Sequence, residues 1–140
     1  MSLVTKIVFI LTLGFASSQI GNRRPLHLPA ELNAQFDAIA HECIKKTNNT
    51  ERVWTLFKKH TFEDSDEYKR FIYCGLTTSQ FYAENGVPVL EKLFELFKDD
   101  DVRQVFNNCR ASLVITTPVE TASSYFKCYI ENSPVYMALT

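Results

Sequence analysis

Four cysteines are the residues of this sequence with the clearest capacity for chemistry. No two of them have the close spacing of zinc ligands, such as a pair separated by two residues, so the sequence does not predict a metal site. Four cysteines in an oxidising compartment are typical of two disulfides, and three connectivities remain open. We predict that two disulfides consume all four thiols and leave none for nucleophilic catalysis: Cys43, Cys74, Cys109 and Cys128.

Carboxylates and imidazoles are the remaining candidates for acid–base or metal chemistry. Asp99-Asp100-Asp101 has the composition of a metal cluster, but a solvated turn with one aspartate capping the next helix is the favoured interpretation. Histidines 27, 41 and 60 could titrate at about pH 6 and release a ligand, although surface or salt-bridged histidines are favoured. No GxSxG, HExxH or P-loop motif occurs, so neither an enzyme nor a cofactor is predicted.

The first 18 residues have the three-part pattern of a secretory signal peptide. A short basic start ending at Lys6 precedes an apolar run from Ile7 to Ala16, and small residues lead up to Ser18. As a helix, this run of about ten residues spans about 15 Å, which is too short for a bilayer core of about 30 Å. We predict cleavage after Ser18, secretion into an extracellular fluid, and a single domain over residues 19–140.

Composition limits what this domain does. The chain has 140 residues, of which 46% are apolar, so it can fill one core and is not expected to be disordered. Lysine and arginine total 15 against 16 aspartates and glutamates. The chain therefore has no excess of positive charge of the kind that nucleic-acid-binding proteins use, and no nucleic-acid partner is expected.

Hydrophobic periodicity is helical along nearly the whole domain, and no alternating strand pattern of any length occurs. Short helices crossing at steep angles around a shared centre give an all-α fold. A tail from Val135 to Thr140 follows Pro134; it could be a lid over a cavity mouth, but a loosely docked terminus is favoured. Six helices are predicted: from near Pro29 to Asn48, after a cap at Thr50, from about Asp66 to Ala83, from Pro88, from about Val102, and from a capping box at Thr117.

The cysteine spacing and the six predicted helices together resemble the insect odorant-binding protein family, also called pheromone-binding or general odorant-binding proteins. Members usually have six cysteines, of which the second lies four positions before the third and the fifth nine before the sixth. Arg70 and Val119 occupy these positions here, and the intervals of 30, 34 and 18 residues between the four cysteines fit the first, third, fourth and sixth. The chain is thus similar to the minus-C, four-cysteine subgroup.

This resemblance implies the bridges Cys43–Cys74 and Cys109–Cys128, and helices packed around a central apolar cavity. It implies a secreted carrier that transports a small hydrophobic ligand such as an odorant, a pheromone or a similar lipid, with olfaction as one setting. The resemblance is also compatible with a membrane receptor as a further partner, and with a monomer or weak homodimer as the oligomeric state. Without a bridge between Arg70 and Val119, we expect the third and sixth helices to be joined only by packing and the pocket to be compliant.

The aromatic content favours the same function, since 11 phenylalanines, six tyrosines and one tryptophan exceed what a core of this size needs as filler. Rigid rings around a centre predict a cavity of several hundred Å³, in which a ligand of about ten carbons reaches micromolar affinity. Core packing is the alternative role of each predicted wall residue, and a bond to its own helix backbone that of Thr77. The predicted wall is Ile72, Phe94, Phe97, Phe106 and Tyr125, with Thr77 and Thr78 as polar contacts.

The competing function is a secreted helical signalling or structural protein that acts through its surface. Such a protein would have a filled core and an exposed apolar patch in place of a cavity.

Overall fold

The computed structural model describes residues 21–140, so the predicted signal peptide and its cleavage site lie outside the described residues. The all-α fold class is confirmed, with six helices and two four-residue strands in this range. No helix among the described residues is long and apolar enough to cross a membrane. The elements are β1 (Arg24–His27), α1 (Ala30–Lys46), α2 (Arg52–Lys58), α3 (Asp66–Thr78), α4 (Leu90–Leu96), α5 (Asp100–Ala111), α6 (Pro118–Asn132) and β2 (Val135–Ala138).

Polar side chains start two of the long helices. The Ser65 hydroxyl accepts a hydrogen bond from the Tyr68 amide at the start of α3, and the Thr117 hydroxyl accepts one from the Glu120 amide at the start of α6. Each bond satisfies an amide that has no partner within its own helix. The predicted cap at Thr50 is wrong, because α2 begins after Glu51 and has no side-chain cap.

Helix α3 is shorter than the periodicity predicts and ends at Thr78 instead of Ala83. Gln80 has a φ of 67°, which turns the chain out of the helix, and the Val89 amide then donates to the Phe81 carbonyl at 2.8 Å. The return depends on Gly86, whose φ is 87° and where a Cβ would overlap the Pro118 carbonyl oxygen. This excursion places Phe81 and Tyr82 in the interior on non-helical backbone.

Both disulfides have the connectivity that the family resemblance implied. Cys43–Cys74 joins α1 to α3 with a Cα separation of 5.7 Å. Cys109–Cys128 joins α5 to α6 with a Cα separation of 5.9 Å. These distances are ordinary for disulfides, and each bridge stabilises the fold by about 3 kcal/mol in the chain-entropy model.

The expectation that α3 and α6 are joined only by packing is wrong. The Lys69 ammonium lies 2.8 Å from a carboxylate oxygen of Asp64 and 3.3 Å from one of Glu120, so an ion pair connects α3 to the start of α6. Only 16% of the Lys69 side chain is exposed, which reduces solvent screening of this pair. The pair lies one residue from Arg70 and Val119, where a six-cysteine relative would carry its third bridge.

The first and last elements of the described residues form a strand pair that the sequence did not predict. β1 and β2 run parallel, with Arg24 opposite Val135 and Leu26 opposite Met137. The Arg23 guanidinium donates to the carbonyls of Ser133, at 2.8 Å, and Ile130, at 3.1 Å, just before β2. The expectation of a loosely docked tail is therefore wrong. Strands of four residues are too short to show alternation, and their pairing joins segments more than 100 residues apart.

Candidate functional site

Two adjoining voids occupy the apolar interior. The first has a volume of about 50 Å³ and lies among α1, α2 and α3, and the second has a volume of about 30 Å³ and lies against α4, α5 and α6. The sequence predicted one cavity of several hundred Å³, and the structure instead shows a nearly filled centre. The reason is that bulky rings interdigitate: Phe106, for example, has its ring centroid 5.0 Å from that of Phe97 and 5.3 Å from that of Tyr129.

The first void has an almost wholly apolar wall, since the two side chains of its lining that carry polar groups use them elsewhere. Ser79 donates its hydroxyl to the Leu76 carbonyl, and Trp54 donates its indole N–H to Asp37. Gly75 lies in the middle of α3 on this wall, and a Cβ built there would meet nothing within 4 Å. The missing side chain is thus one reason that space remains. The lining residues are Phe36, Ile39, Ala40, Trp54, Phe57, Phe71, Ile72, Gly75, Leu76, Ser79, Phe81 and Met137.

The second void is lined mainly by rings. Tyrosine is the only residue type in its described lining that carries a polar side-chain group. The lining residues are Phe57, Leu76, Phe81, Tyr82, Leu93, Leu96, Phe97, Phe106, Phe126, Tyr129 and Met137.

Four side chains line both voids and therefore form the partition between them: Phe57, Leu76, Phe81 and Met137. Phe57 lies on α2, Leu76 lies on α3 and Phe81 lies in the connection after α3, whereas Met137 lies on β2. Methionine has an unbranched, flexible side chain that adapts to irregular spaces. The C-terminal strand thus contributes directly to the interior surface. The sequence admitted a lid role for this tail but favoured a loosely docked terminus.

The structure brings three of the predicted wall residues to the voids. Ile72 lies on the first, and Phe97 and Phe106 lie on the second. Phe94 lies outside both linings, with the Arg103 guanidinium carbon 5.1 Å from its ring centroid. Tyr125 is fully buried and donates its hydroxyl to the Phe106 carbonyl at 2.8 Å.

The two predicted polar contacts also lie outside the two linings. The Thr77 hydroxyl donates to the Tyr73 carbonyl of its own helix at 2.7 Å, which is the alternative weighed for it. The Thr78 hydroxyl lies 3.9 Å from the sulfur of Cys43 and 4.0 Å from that of Cys74. Contact of either threonine with a ligand remains a prediction.

Sequence reasoning missed the part of the wall that comes from α1 and α2. Trp54 and Phe57 stack with ring centroids 5.5 Å apart, and Phe57 in turn stacks on Phe126 at 5.6 Å. The predicted wall residues came only from the third to the sixth helix, so neither ring was among them. Both rings lie on the first void.

One histidine is buried against the ring of Tyr129, contrary to the surface or salt-bridged position predicted for it. His60 is 4% exposed, and its Nε2 lies 3.1 Å from the Ile130 carbonyl oxygen. Burial and the nearby Arg23 cation lower the pKa of His60 to about 4, so the imidazole is neutral at pH 7. His41, in contrast, is exposed and lies 2.9 Å from a carboxylate oxygen of Glu51, as predicted.

Of the three consecutive aspartates, two contact an arginine of β1, and none lines either void. The Arg24 guanidinium lies 2.8 Å from a carboxylate oxygen of Asp101 and 3.3 Å from one of Asp99, and this contact lowers the pKa of Asp101. The turn is solvated as predicted, but Asp99 makes no side-chain cap to α5. Within residues 21–140 no group of three or more histidines, cysteines or carboxylates is placed to hold a metal ion.

Comparisons with known proteins were made for sequence and for structure. The model of the PBP/GOBP family matches residues 26–132. A comparison with the sequences of curated proteins finds no match.

Similar solved structures include three insect odorant-binding proteins. dmelOBP28a from Drosophila melanogaster is 17% identical with a TM-score of 0.61, and the match covers 73% of this chain and 92% of that one. Odorant Binding Protein 7 from Anopheles gambiae, with four disulfide bridges and in complex with an azo compound, is 21% identical with a TM-score of 0.60, over 74% of this chain and 87% of that one. The medfly protein CcapOBP22/CcapOBP69a is 20% identical with a TM-score of 0.53, over 71% of this chain and 89% of that one.

At these identities the structural matches establish the fold alone. The family model, however, covers most of the chain, from before α1 to the last residue of α6. Four cysteines in two disulfides fit the minus-C subgroup. The chain therefore belongs to the PBP/GOBP family of pheromone-binding and general odorant-binding proteins.

Proposed function

We propose that this protein is a secreted, non-enzymatic carrier that binds one small hydrophobic ligand in its interior. In this structure the partition side chains divide that interior into two voids. The observation that carries the proposal is the pair of adjoining apolar voids, with walls drawn from all six helices and β2, in a member of this family. The complex of Odorant Binding Protein 7 with an azo compound supports a small organic ligand at this fold.

A ligand can enter only if the partition moves. Sites for small ligands have volumes of about 300–1,000 Å³, whereas the two voids measure about 50 and 30 Å³. All four partition residues are half-buried, but Met137 has the most flexible side chain and lies on a strand of only four residues. We therefore infer that displacement of Met137 joins the voids and makes β2 a movable lid.

The absence of a third disulfide also favours a compliant interior. Arg70 and Val119 leave α3 and α6 connected by side-chain packing and by the ion pairs of Lys69, which contribute less than a covalent bridge. Relative movement of these helices, which both contribute side chains to the second void, widens that void without breaking a covalent bond.

The competing surface-acting role has one observation in its favour. Val114 and Ile115, in the connection between α5 and α6, are 72% and 54% exposed. Two side chains form a smaller patch than the few hundred Å² typical of a binding surface. The carrier function is therefore favoured.

Displacement of a fluorescent apolar probe by compounds of about ten carbons tests the carrier function. The carrier predicts one site per chain and micromolar affinity, and native mass spectrometry of protein purified from its own source should show a retained small molecule. Absence of probe binding by protein whose helical circular dichroism is intact would contradict it, and the surface-acting role would take its place.

A further inference from the structure

An Asn-x-Thr tripeptide lies in the connection between α1 and α2 and takes no part in either void. Asn48 is followed by Asn49 and then by Thr50, and the sequence contains no second asparagine with a serine or threonine two positions after it. In a secreted protein this pattern is the acceptor of N-linked glycosylation. Such tripeptides also occur by chance, so the geometry of the turn decides whether this one is suited to carry a glycan.

The backbone places Asn48 in the turn that ends α1. Its amide donates to the Lys45 carbonyl at 3.2 Å, and the Asn49 amide donates to the Ile44 carbonyl at 2.9 Å. This pair of bonds is a common closure of a helix C-terminus, and it requires the left-handed conformation that Asn48 has, with a φ of 55°. Glycine is the more usual residue at this position, so the backbone by itself does not require an asparagine.

The middle residue of the tripeptide holds the turn together. The Asn49 side-chain amide donates to the Thr47 hydroxyl at 2.8 Å and to the Glu67 carbonyl at 3.0 Å. Asn49 thus attaches the turn to the start of α3 and is half-buried. The conformation of the turn therefore does not depend on the side chains of Asn48 and Thr50.

The side-chain amide of Asn48 and the hydroxyl of Thr50 are both available. Each residue is exposed, and neither side chain has a hydrogen-bond partner among the described residues. Thr50 does not cap α2, which has no side-chain cap. The asparagine amide and the hydroxyl that define the acceptor pattern are thus the two groups that the fold leaves unused, and a glycan on Asn48 would displace no native hydrogen bond of that side chain.

The turn also lies apart from the candidate ligand site. Neither Asn48 nor Thr50 belongs to the lining of either void. Ala40 is the last residue of α1 in the wall of the first void, and it precedes the end of that helix at Lys46 by six residues, or about 9 Å along the helix axis. A glycan at this turn would therefore leave the interior open to a ligand.

We propose that Asn48 is a site of N-linked glycosylation, for which the donor is an oligosaccharide carried on a lipid diphosphate. The Nδ2 atom of Asn48 forms a bond to the anomeric carbon of the first N-acetylglucosamine. The bond from that carbon to the diphosphate oxygen breaks, the lipid diphosphate leaves with the electron pair, and the amide nitrogen loses one proton, so nothing is oxidised or reduced. The proposal rests on the secretion included in the proposed function, because this transfer takes place within the secretory pathway.

Expression of the full 140-residue chain in cultured insect cells tests this assignment. The protein recovered from the medium should have a mass above that of the polypeptide, in steps of hexose and N-acetylhexosamine. Treatment with a peptide N-glycosidase should remove this excess and convert the asparagine that carried the glycan into aspartate, which peptide mass spectrometry should locate at position 48. Displacement of the fluorescent apolar probe should give the same ligand affinity before and after treatment.

Four variants separate the acceptor pattern from the structure of the turn. Asn48→Gly suits the left-handed backbone and Thr50→Ala retains the asparagine, yet each should lose the glycan completely, with the melting temperature of the deglycosylated parent retained. Thr50→Ser keeps a hydroxyl and should retain the glycan at least in part. Asn107 is also exposed, but the residue two positions after it is the disulfide-bonded Cys109, so Asn107→Gln should leave the glycan unchanged.

Each contrary result has a distinct meaning. Protein that is secreted without a glycan on Asn48 overturns the assignment and leaves the carrier function standing. A glycan that persists in Thr50→Ala, or that is lost in Asn107→Gln, overturns it as well. A chain that stays in the cytosol refutes the secretion on which both proposals depend, and the assignment falls with it.

Discussion

A single added methyl group at Gly75 should stabilise the protein and weaken ligand binding at the same time. Gly75 lies inside α3, and a Cβ there would meet no atom within 4 Å. Glycine in a helix interior costs about 1 kcal/mol relative to alanine, and burying a methyl group adds about 0.8 kcal/mol. For a domain of this size the melting temperature of Gly75→Ala should therefore rise by about 4–8 °C.

The same methyl group occupies space in the first void, whose volume is only about 50 Å³. Crowding a ligand at a packed wall costs about 1–3 kcal/mol, so we expect roughly tenfold weaker binding of a ten-carbon ligand. Differential scanning calorimetry measures the first effect, and probe displacement measures the second. Few substitutions produce a gain in stability together with a loss of affinity, which makes the pair of results diagnostic.

Ser124→Ala is a matched control for helix propensity. Ser124 lies on the exposed side of α6, away from both voids, so the change should raise stability by about 0.5 kcal/mol and leave affinity unchanged. A melting temperature that falls in Gly75→Ala would refute the assumption of unstrained helix and open space. Unchanged affinity in a stabilised variant would mean that the ligand does not occupy the first void.

Three other perturbations test the partition, the missing bridge and the buried histidine. Met137→Ala should join the voids, favour binding of bulky over linear ligands of equal carbon number, and lower the free energy of unfolding by about 1–2 kcal/mol. An unchanged ratio of the two ligand affinities would argue against the partition. Arg70→Cys with Val119→Cys, once mass spectrometry confirms the bridge, should raise the melting temperature and slow ligand exchange; no rise would count against the compliance argument. His60 has a pKa of about 4 in the fold against an ordinary value of 6.5, so the protein should lose stability as pH falls from about 6.5 to 4, because the unfolded chain takes up the proton first. His60→Gln should remove that part of the pH dependence in urea titrations, and an equal slope in the variant would refute it.

Local patterns in the sequence predicted the existence of all six helices, although not every helix end. Capping residues such as Ser65 and Thr117 act within one turn, and apolar periodicity acts within one helix, so both are legible without any knowledge of the fold. The even cysteine count predicted two disulfides, while their pairing came from the resemblance to a family. The early end of α3 was not predicted, because the turn at Gly86 that draws the chain away lies against the start of α6.

The site was only partly predictable, for a similar reason. Ile72, Phe97 and Phe106 lie on inward helix faces and do line the voids, but an inward face does not distinguish a wall residue from a filler residue. Phe94 and Tyr125 have the same periodicity and lie outside the linings. The volume was overestimated because composition counts rings and says nothing about how closely they interdigitate.

What the sequence by itself determined is the set of short amphipathic helices, and, with the family's cysteine pattern, the two bridges that join them. Only the tertiary structure decided that β1 and β2 pair as strands, that Met137 helps to divide the interior, and that His60 is buried. Those features depend on contacts between residues far apart in the chain. Such contacts are formed by packing, and no pattern within a single segment encodes them.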